Sequence, residues 1–143
     1  MKNESKVTER EFAGVRGEVA TTASFDTVLS RLRDLTGQVT LSGVVDLAKT
    51  AISEAEYVKE VERKFVGSNG FMFFSAIDHG AWIGKFGIKR RTIRWILGNP
   101  LIAITMIRHD LTAGLFAPVE LLLTECEGGE GCVVTYVRHP SSR

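Results

Sequence analysis

The sequence is poor in the residues that bind metals or form disulfides. It contains only 2 Cys and 3 His among 143 residues. Cys126 and Cys132 lie on either side of a glycine-rich stretch, and two thiols without further Cys or paired His make neither a disulfide framework nor a zinc site. We therefore expect both thiols to be reduced, which fits a cytoplasmic protein.

The chain also lacks an excess of charge of one sign. Its 18 Lys and Arg are balanced by 17 Asp and Glu, for a formal net charge of +1. Such a balance predicts neither nucleic acid nor an anionic membrane as a partner of the whole protein. The densest local group of cations, Lys89, Arg90 and Arg91, is typical of a solvated basic face.

Long apolar runs are absent as well. The longest, residues 93–107, is interrupted by Arg94, Asn99 and Pro100 and is too short to span a bilayer. The charged residues 1–11 have no apolar core of the kind that a signal peptide needs, and we expect them to form a flexible leader. With 44% apolar residues, the remaining 12–143 predict a single domain.

What the sequence does contain is a regular succession of helix and strand patterns. Ser24 precedes a helical repeat of apolar residues and predicts a helix over 25–36. Ser53 and Glu56 have the spacing of a capping box and predict a second helix over 53–65. Short apolar runs between turn residues predict strands over 12–22, 71–77, 92–97, 119–126 and 132–137. The order predicts an α+β fold, with a mainly antiparallel or mixed sheet of about five strands backed by helices.

Two segments carry predictions about burial. The continuous apolar run 71–77 is typical of a buried central strand. Asn99 and Pro100 are good residues for a helix start, and the helix that they predict, to about residue 110, is apolar nearly all round and should be sandwiched between layers. The mixed segment 38–47 is predicted either to line a pocket or to cover the core.

Polar, titratable residues follow both of these segments. Asp78 and His79 end the predicted strand, and Arg108, His109 and Asp110 end the predicted helix. Residues where a core meets solvent have easily shifted pKa values, so the five together indicate an acid-base constellation if the two ends meet. The alternative is structural, with Asp78 capping the following turn and Arg108 paired with a carboxylate.

Other chemistries have weaker signals. A site of two His and two carboxylates would need the same groups to converge on a metal, and no His-x-His or Glu-x-x-His spacing preorganises one. Phosphate-loop, dinucleotide and nucleophile motifs are absent, so we expect no cofactor, no metal and no covalent intermediate. Trp82 and Trp95 are either core aromatics or a stacking surface for a planar ligand.

Several of these stretches resemble the domain of unknown function 302 family. The resemblance lies in Ile77-Asp78-His79-Gly80, Gly98-Asn99-Pro100 and Ala113-Gly114-Leu115, covers about residues 12–137 and is most specific over 71–123. It implies a compact α+β fold in which helices back a sheet, and a homodimer.

Some fungal relatives with a similar Arg-His-Asp ending are regarded as polyketide cyclases that close an α-pyrone ring. The resemblance implies a cofactor-independent lactone-forming cyclase acting on a free or carrier-bound polyketide, with Asp78 or Asp110 as base, His79 or His109 as proton shuttle and Arg108 as the anchor. Trp82, Lys89, Arg90, Arg91, Trp95 and Asn99 would contact the substrate or its carrier. The alternative is a non-catalytic, homodimeric small-molecule-binding domain in which the Asp, His and Arg cluster is structural.

Overall fold

The computed structural model describes residues 3–37, 41–66, 69–116 and 119–138, and in this part of the chain one α+β domain is formed by five strands and five α-helices. The strands are β1 (Val15–Thr21), β2 (Met72–Asp78), β3 (Thr92–Gly98), β4 (Val119–Glu125) and β5 (Cys132–Arg138). The helices are α1 (Phe25–Leu35), α2 (Leu41–Ala48), α3 (Glu54–Lys64), α4 (Gly80–Ile83) and α5 (Pro100–Ile107). Three 3-10 helices accompany them, Gly84–Phe86, Leu111–Leu115 and Glu127–Gly129.

The sheet has the order β1-β5-β4-β3-β2, and every neighbouring pair of strands is antiparallel. The predicted α+β class and antiparallel sheet are therefore confirmed. The predicted central position of residues 71–77 is wrong, because β2 is an edge strand whose second half is exposed. A continuous apolar run does not reveal whether a second strand pairs with it.

The helices begin where their capping residues predict. The Ser24 hydroxyl accepts a hydrogen bond from the Thr27 backbone N–H at 3.1 Å, which satisfies a donor in the first turn of α1. Ser53 does the same for α3, accepting from the Glu56 backbone N–H at 3.2 Å. Both N-termini therefore follow from local sequence.

The main core lies between α1 and one face of the sheet. Phe25 and Leu29 of α1 pack against Trp95 of β3 and Leu123 of β4, and all four side chains are buried. Along β3 the buried Trp95 and Leu97 alternate with the half-buried Arg94 and Ile96, as the two-residue period of a strand requires.

A second core lies at the start of β2. Met72 is fully buried there among Val44 of α2 and Val61 and Phe65 of α3, with Leu101 of α5 at its margin. The segment 38–47 thus covers the core through Val44, while residues 38–40 lie outside the described residues.

The helix α5 differs from its prediction. None of its residues is buried, and Ile102, Ile104 and Met106 are 51%, 41% and 39% exposed. The predicted sandwich is wrong, because α5 packs through one side only and no second layer from the described residues covers the other. With 8 residues it is short, and no helix in the described parts of the chain is long and apolar enough to cross a membrane.

Candidate functional site

Asp78 and His79 lie at one end of β2, whereas α5, whose far end carries Arg108, His109 and Asp110, starts at the other end of β2. In the β2–β3 ladder Asp78 pairs with Ile93, whereas Met72 pairs with Gly98, immediately before α5. The two ends of β2 are about 20 Å apart at the usual rise of a strand. No hydrogen bond or ion pair between described residues joins the two groups, and each lines a different cavity. The structure does not assemble the five residues into one constellation.

The larger cavity has a volume of about 630 Å³ and lies between α3 and α5. Its walls are mostly apolar and come from both helices. They are formed by Tyr57, Val58, Pro100, Leu101 and Ile104. A cleft of this size and composition is typical of small-molecule sites.

Hydrogen bonds to other elements hold two of the walls in place. The Tyr57 hydroxyl donates to the Val44 carbonyl oxygen of α2 at 3.2 Å. Asn99 caps α5 by accepting from the Leu101 backbone N–H at 2.8 Å, and its side-chain amide donates to the Gly70 carbonyl oxygen at 2.8 Å. Because these contacts are internal to the protein, the cavity is present before any ligand binds. They also show that Asn99, predicted to contact substrate, is engaged in structural hydrogen bonds.

The polar residues of this cavity come from α3 and from the end of α5. They are Glu54, Glu62, Thr105, Arg108 and His109. The nearest opposite charges are Arg108 Nη2 and Glu54 Oε1, at 3.9 Å, and their side chains are 54% and 87% exposed. An ion pair of this length and exposure contributes little to stability, so both groups are available to a ligand.

Sequence reasoning found Arg108 and His109 but missed the two carboxylates. Glu54, Val58 and Glu62 are spaced four residues apart and therefore lie on one face of α3. That spacing was visible in the sequence. Which element this face meets was not, because it depends on how α3 packs against β2.

Asp110, predicted as a candidate base, is a structural cap. Its Oδ1 accepts hydrogen bonds from the Thr112 hydroxyl at 2.6 Å and the Thr112 backbone N–H at 3.0 Å, at the start of the 3-10 helix Leu111–Leu115. Both hydrogen bonds lower the pKa of the Asp110 carboxyl below its usual value. The bond from the Thr112 side chain has the larger effect and the bond from its backbone N–H the smaller. A carboxylate that is stabilised in this way is a weaker base.

The smaller cavity, of about 370 Å³, lies beside Asp78 and the three basic residues before β3. Arg90 donates from Nη2 to the Glu125 carbonyl oxygen at 2.8 Å, and Arg91 donates from Nη1 to Asp26 at 2.8 Å. These two cations connect elements of the fold. Lys89 is the one cation of the three with no partner among the described residues.

His79 and the two tryptophans have different environments. Trp82 Nε1 donates to His79 Nδ1 at 3.1 Å, so Nε2 carries the proton of the neutral ring. Trp82 is 53% exposed and remains available for stacking. Trp95 is 3% exposed and packs against Phe73 with ring centroids 4.4 Å apart, which makes it a core aromatic.

No group of three or more His, Cys, Asp or Glu that could hold a metal occurs among the described residues. The arrangement of two His and two carboxylates considered above would need Asp78 and His79 to meet His109 and Asp110. That set is not among the clusters of the described residues that could hold a metal.

The chain matches a known family of proteins. The family model described as Domain of unknown function DUF302 matches residues 47–141, which is more than half of the chain. The match includes α3, α5 and the strands β2 to β5, and so contains both cavities. No curated protein matches the chain. From the extent of the family match we conclude that the chain belongs to the DUF302 family.

Proposed function

We propose that the protein binds a small amphipathic molecule in the cavity between α3 and α5. The observation that carries this proposal is a cavity of about 630 Å³ with apolar walls and polar groups from two elements. Small-molecule sites commonly combine a concave apolar surface with a few convergent polar side chains. The apolar part of the ligand would contact Val58 and Ile104, which lie on opposite sides of the cavity.

The polar groups restrict the other end of the ligand. Arg108 can only donate hydrogen bonds, whereas the carboxylates of Glu54 and Glu62 can only accept them. A head group with adjacent hydroxyl and carbonyl groups satisfies both, since its hydroxyl donates to a carboxylate and its carbonyl accepts from the guanidinium. An enolised β-dicarbonyl or a hydroxypyrone with an alkyl chain has this chemistry.

The test is a titration of the protein with an alkyl hydroxypyrone, in which isothermal calorimetry measures the affinity. Ile104→Trp places a larger side chain in the cavity and is expected to weaken binding about tenfold or more. Ile102→Trp is the matched control, because Ile102 lies on the same helix, is 51% exposed and does not line the cavity. Binding that is lost equally in both variants, or in neither, would contradict the cavity as the site.

A second candidate function is the lactone-forming cyclisation that the family resemblance implies. It is favoured by one observation, that Arg108 and His109 line the same cavity as Glu54 and Glu62. The cavity therefore holds a cation and possible bases without Asp78 or Asp110. In this version of the mechanism Glu54 and Glu62 of α3 take the role of base that the resemblance gives to Asp78 or Asp110.

The reaction needs no cofactor. A base, either His109 or one of the carboxylates, accepts the proton of an enol hydroxyl while the enol oxygen attacks the thioester carbonyl of the same chain. Arg108 stabilises the oxyanion that forms, and collapse of this intermediate breaks the carbon–sulfur bond. The thiolate then takes up a proton, so that a lactone and a thiol are the products.

This candidate is tested with a β,δ-dioxo acyl thioester, measuring the release of thiol and of pyrone. Arg108→Ala and His109→Ala should each reduce turnover strongly, whereas Asp78→Asn, in the other cavity, should not. Binding of the hydroxypyrone without any turnover would reject the cyclase and retain the binding function. Loss of turnover in Asp78→Asn alone would place the chemistry in the smaller cavity.

A further inference from the structure

The segment between β2 and β3 carries an exposed apolar surface. Trp82 is 53% exposed, Phe86 is 75% exposed and Ile88 is 50% exposed. Around Gly84 and Gly87 an added Cβ would meet no atom within 4 Å, so the segment faces solvent at both glycines. Single exposed apolar residues are ordinary, but three on one short segment mark an interaction surface.

The aromatic part of this surface is ordered. Trp82 and Phe86 are in an edge-to-face arrangement with ring centroids 6.2 Å apart. On its other side the Trp82 ring lies edge-to-face to His79 at 5.9 Å, and its N–H donates to His79 Nδ1. Contacts within this segment therefore hold the indole in an exposed position. The Trp82 side chain then has little conformational entropy to lose on binding.

The charge of the segment is one-sided. From His79 to Arg91 the sequence has four basic residues and no acidic residue, although the whole chain is nearly neutral. Arg90 and Arg91 are bound to groups of the protein, as described above. Lys85 and Lys89, which flank Phe86 and Ile88, have no carboxylate within ion-pair distance among the described residues.

We propose that the segment between β2 and β3 binds an anionic membrane surface. We name it the aromatic tip and define it as Trp82, Lys85, Phe86, Ile88 and Lys89. Tryptophan with neighbouring apolar side chains favours the boundary between headgroups and acyl chains, where lysine ammonium groups meet lipid phosphates and carboxylates. The tip has both parts, and shares no residue with the α3–α5 cavity, so this inference does not depend on the proposed function.

Charge distinguishes the aromatic tip from a second exposed apolar surface among the described residues. That surface, here named the outer apolar surface, consists of Ile102, Leu111, Leu115 and Phe116. From residue 100 to residue 116 the fixed charges are one Arg and one Asp, so this stretch carries no net positive charge, and Glu54 lies 3.9 Å from Arg108. An anionic bilayer therefore has a reason to select the tip, while the outer apolar surface serves as an internal control.

The experiment uses the tryptophan fluorescence of the full chain. The protein has 2 Trp, one exposed and one buried, so Trp95→Phe leaves Trp82 as the only emitter. Vesicles of equal parts phosphatidylcholine and phosphatidylserine should shift its emission to shorter wavelength as the indole leaves water. Vesicles of phosphatidylcholine alone should shift it much less, and salt should reverse the shift because it screens exposed charges.

Variants separate the two contributions. In the Trp95→Phe background, replacing Phe86 and Ile88 by Ala should weaken binding to the anionic vesicles about tenfold or more, since each buried aliphatic or aromatic side chain contributes to partitioning. Replacing Lys85 and Lys89 by Gln should abolish the preference for the anionic vesicles. Replacing Leu111 and Leu115 by Ala should change neither the binding to anionic vesicles nor the preference for them.

Three outcomes would overturn the proposal. The first is an emission that is unchanged by either kind of vesicle, which would leave a protein partner as the reason for the exposed aromatics. The second is equal binding to neutral and anionic vesicles. The third is a loss of binding in the Leu111 and Leu115 variant as large as that in the Phe86 and Ile88 variant.

Discussion

Arg108 and Glu54 face each other at the α3–α5 cavity, with Nη2 and Oε1 3.9 Å apart. One residue follows α5 and the other begins α3, so their proximity is a product of tertiary packing. Together they provide a donor and an acceptor beside an apolar wall. This pair of residues from two helices defines the candidate site better than the Asp-His and Arg-His-Asp sequences do.

Arg108 should discriminate between polar and apolar ligands. Arg108→Ala is expected to weaken the binding of an alkyl hydroxypyrone about fivefold. The loss of affinity is modest because the Arg108 side chain is half exposed. An alkylbenzene of equal chain length, which cannot accept a hydrogen bond in this way, should bind wild type and variant alike. An equal loss for both ligands in calorimetric titrations would show that Arg108 shapes the cavity instead of binding the head group.

Asp78 and His79 should be independent of the α3–α5 cavity. Asp78→Asn and His79→Gln are expected to leave hydroxypyrone affinity unchanged, because neither residue lines the α3–α5 cavity. Calorimetry of each variant measures the affinity, and circular dichroism verifies that it is folded. A folded Asp78→Asn protein with weakened binding would contradict the separation of the two cavities.

Glu60 should make stability depend on acidity. Hydrogen bonds from Arg63 and Lys64, both on α3, lower the pKa of Glu60 from 4.5 to about 2. Because the folded-state pKa is lowered, the stabilisation is complete above about pH 4.5 and is lost as the pH falls toward about 2. Urea unfolding of wild type and Glu60→Gln should differ at neutral pH and converge near the lower value. A difference that persists there would show that the carboxylate charge is not its cause.

The outer apolar surface should mediate self-association. The family resemblance implies a homodimer, and Leu111 and Leu115 are 82% and 81% exposed in the single chain. We expect light scattering after gel filtration to give a dimer mass for wild type and a monomer mass for Leu115→Glu. Val19→Glu is the matched control, since Val19 is 54% exposed on β1, the edge strand opposite β2. A monomeric wild type would contradict the homodimer, and a dimeric Leu115→Glu would contradict the surface.

Trp95 should tolerate replacement by phenylalanine. Its Nε1 is buried and has no hydrogen-bond partner among the described residues. An unpaired buried donor costs about 1–3 kcal/mol, which offsets part of the packing that the smaller ring loses. We expect Trp95→Phe to change the free energy of urea unfolding by about 1 kcal/mol or less, whereas Leu123→Ala should lose about 2–5 kcal/mol. If Trp95→Phe lost as much unfolding free energy as Leu123→Ala, the indole N–H would have a hydrogen-bond partner outside the described residues.

Local chemistry made much of the fold predictable. Ser24, Ser53 and Asn99 each cap the helix that follows, because capping needs only a side-chain oxygen and the next few backbone N–H groups. Strand positions and the α+β class were predictable for a similar reason, since apolar patterning over a few residues reflects the local backbone period.

Burial was less predictable. The apolar sequences of β2 and α5 indicated a central strand and a sandwiched helix, yet β2 is an edge strand and α5 is covered on one side. Patterning shows that a segment can be buried. It does not show how many partners reach it, because those partners come from remote parts of the chain.

The candidate site shows the same division. The sequence alone determined that Asn99 caps α5 and that Arg108 and His109 come at its end. Only the tertiary structure decided where the helix starts in space, because the Asn99 amide donates to the Gly70 carbonyl just before β2 and so places the start of α5 at the end of β2 opposite Asp78. Packing of α3 against Met72 then brings Glu54 to Arg108, a pairing that depends on contacts between remote segments and on no local pattern.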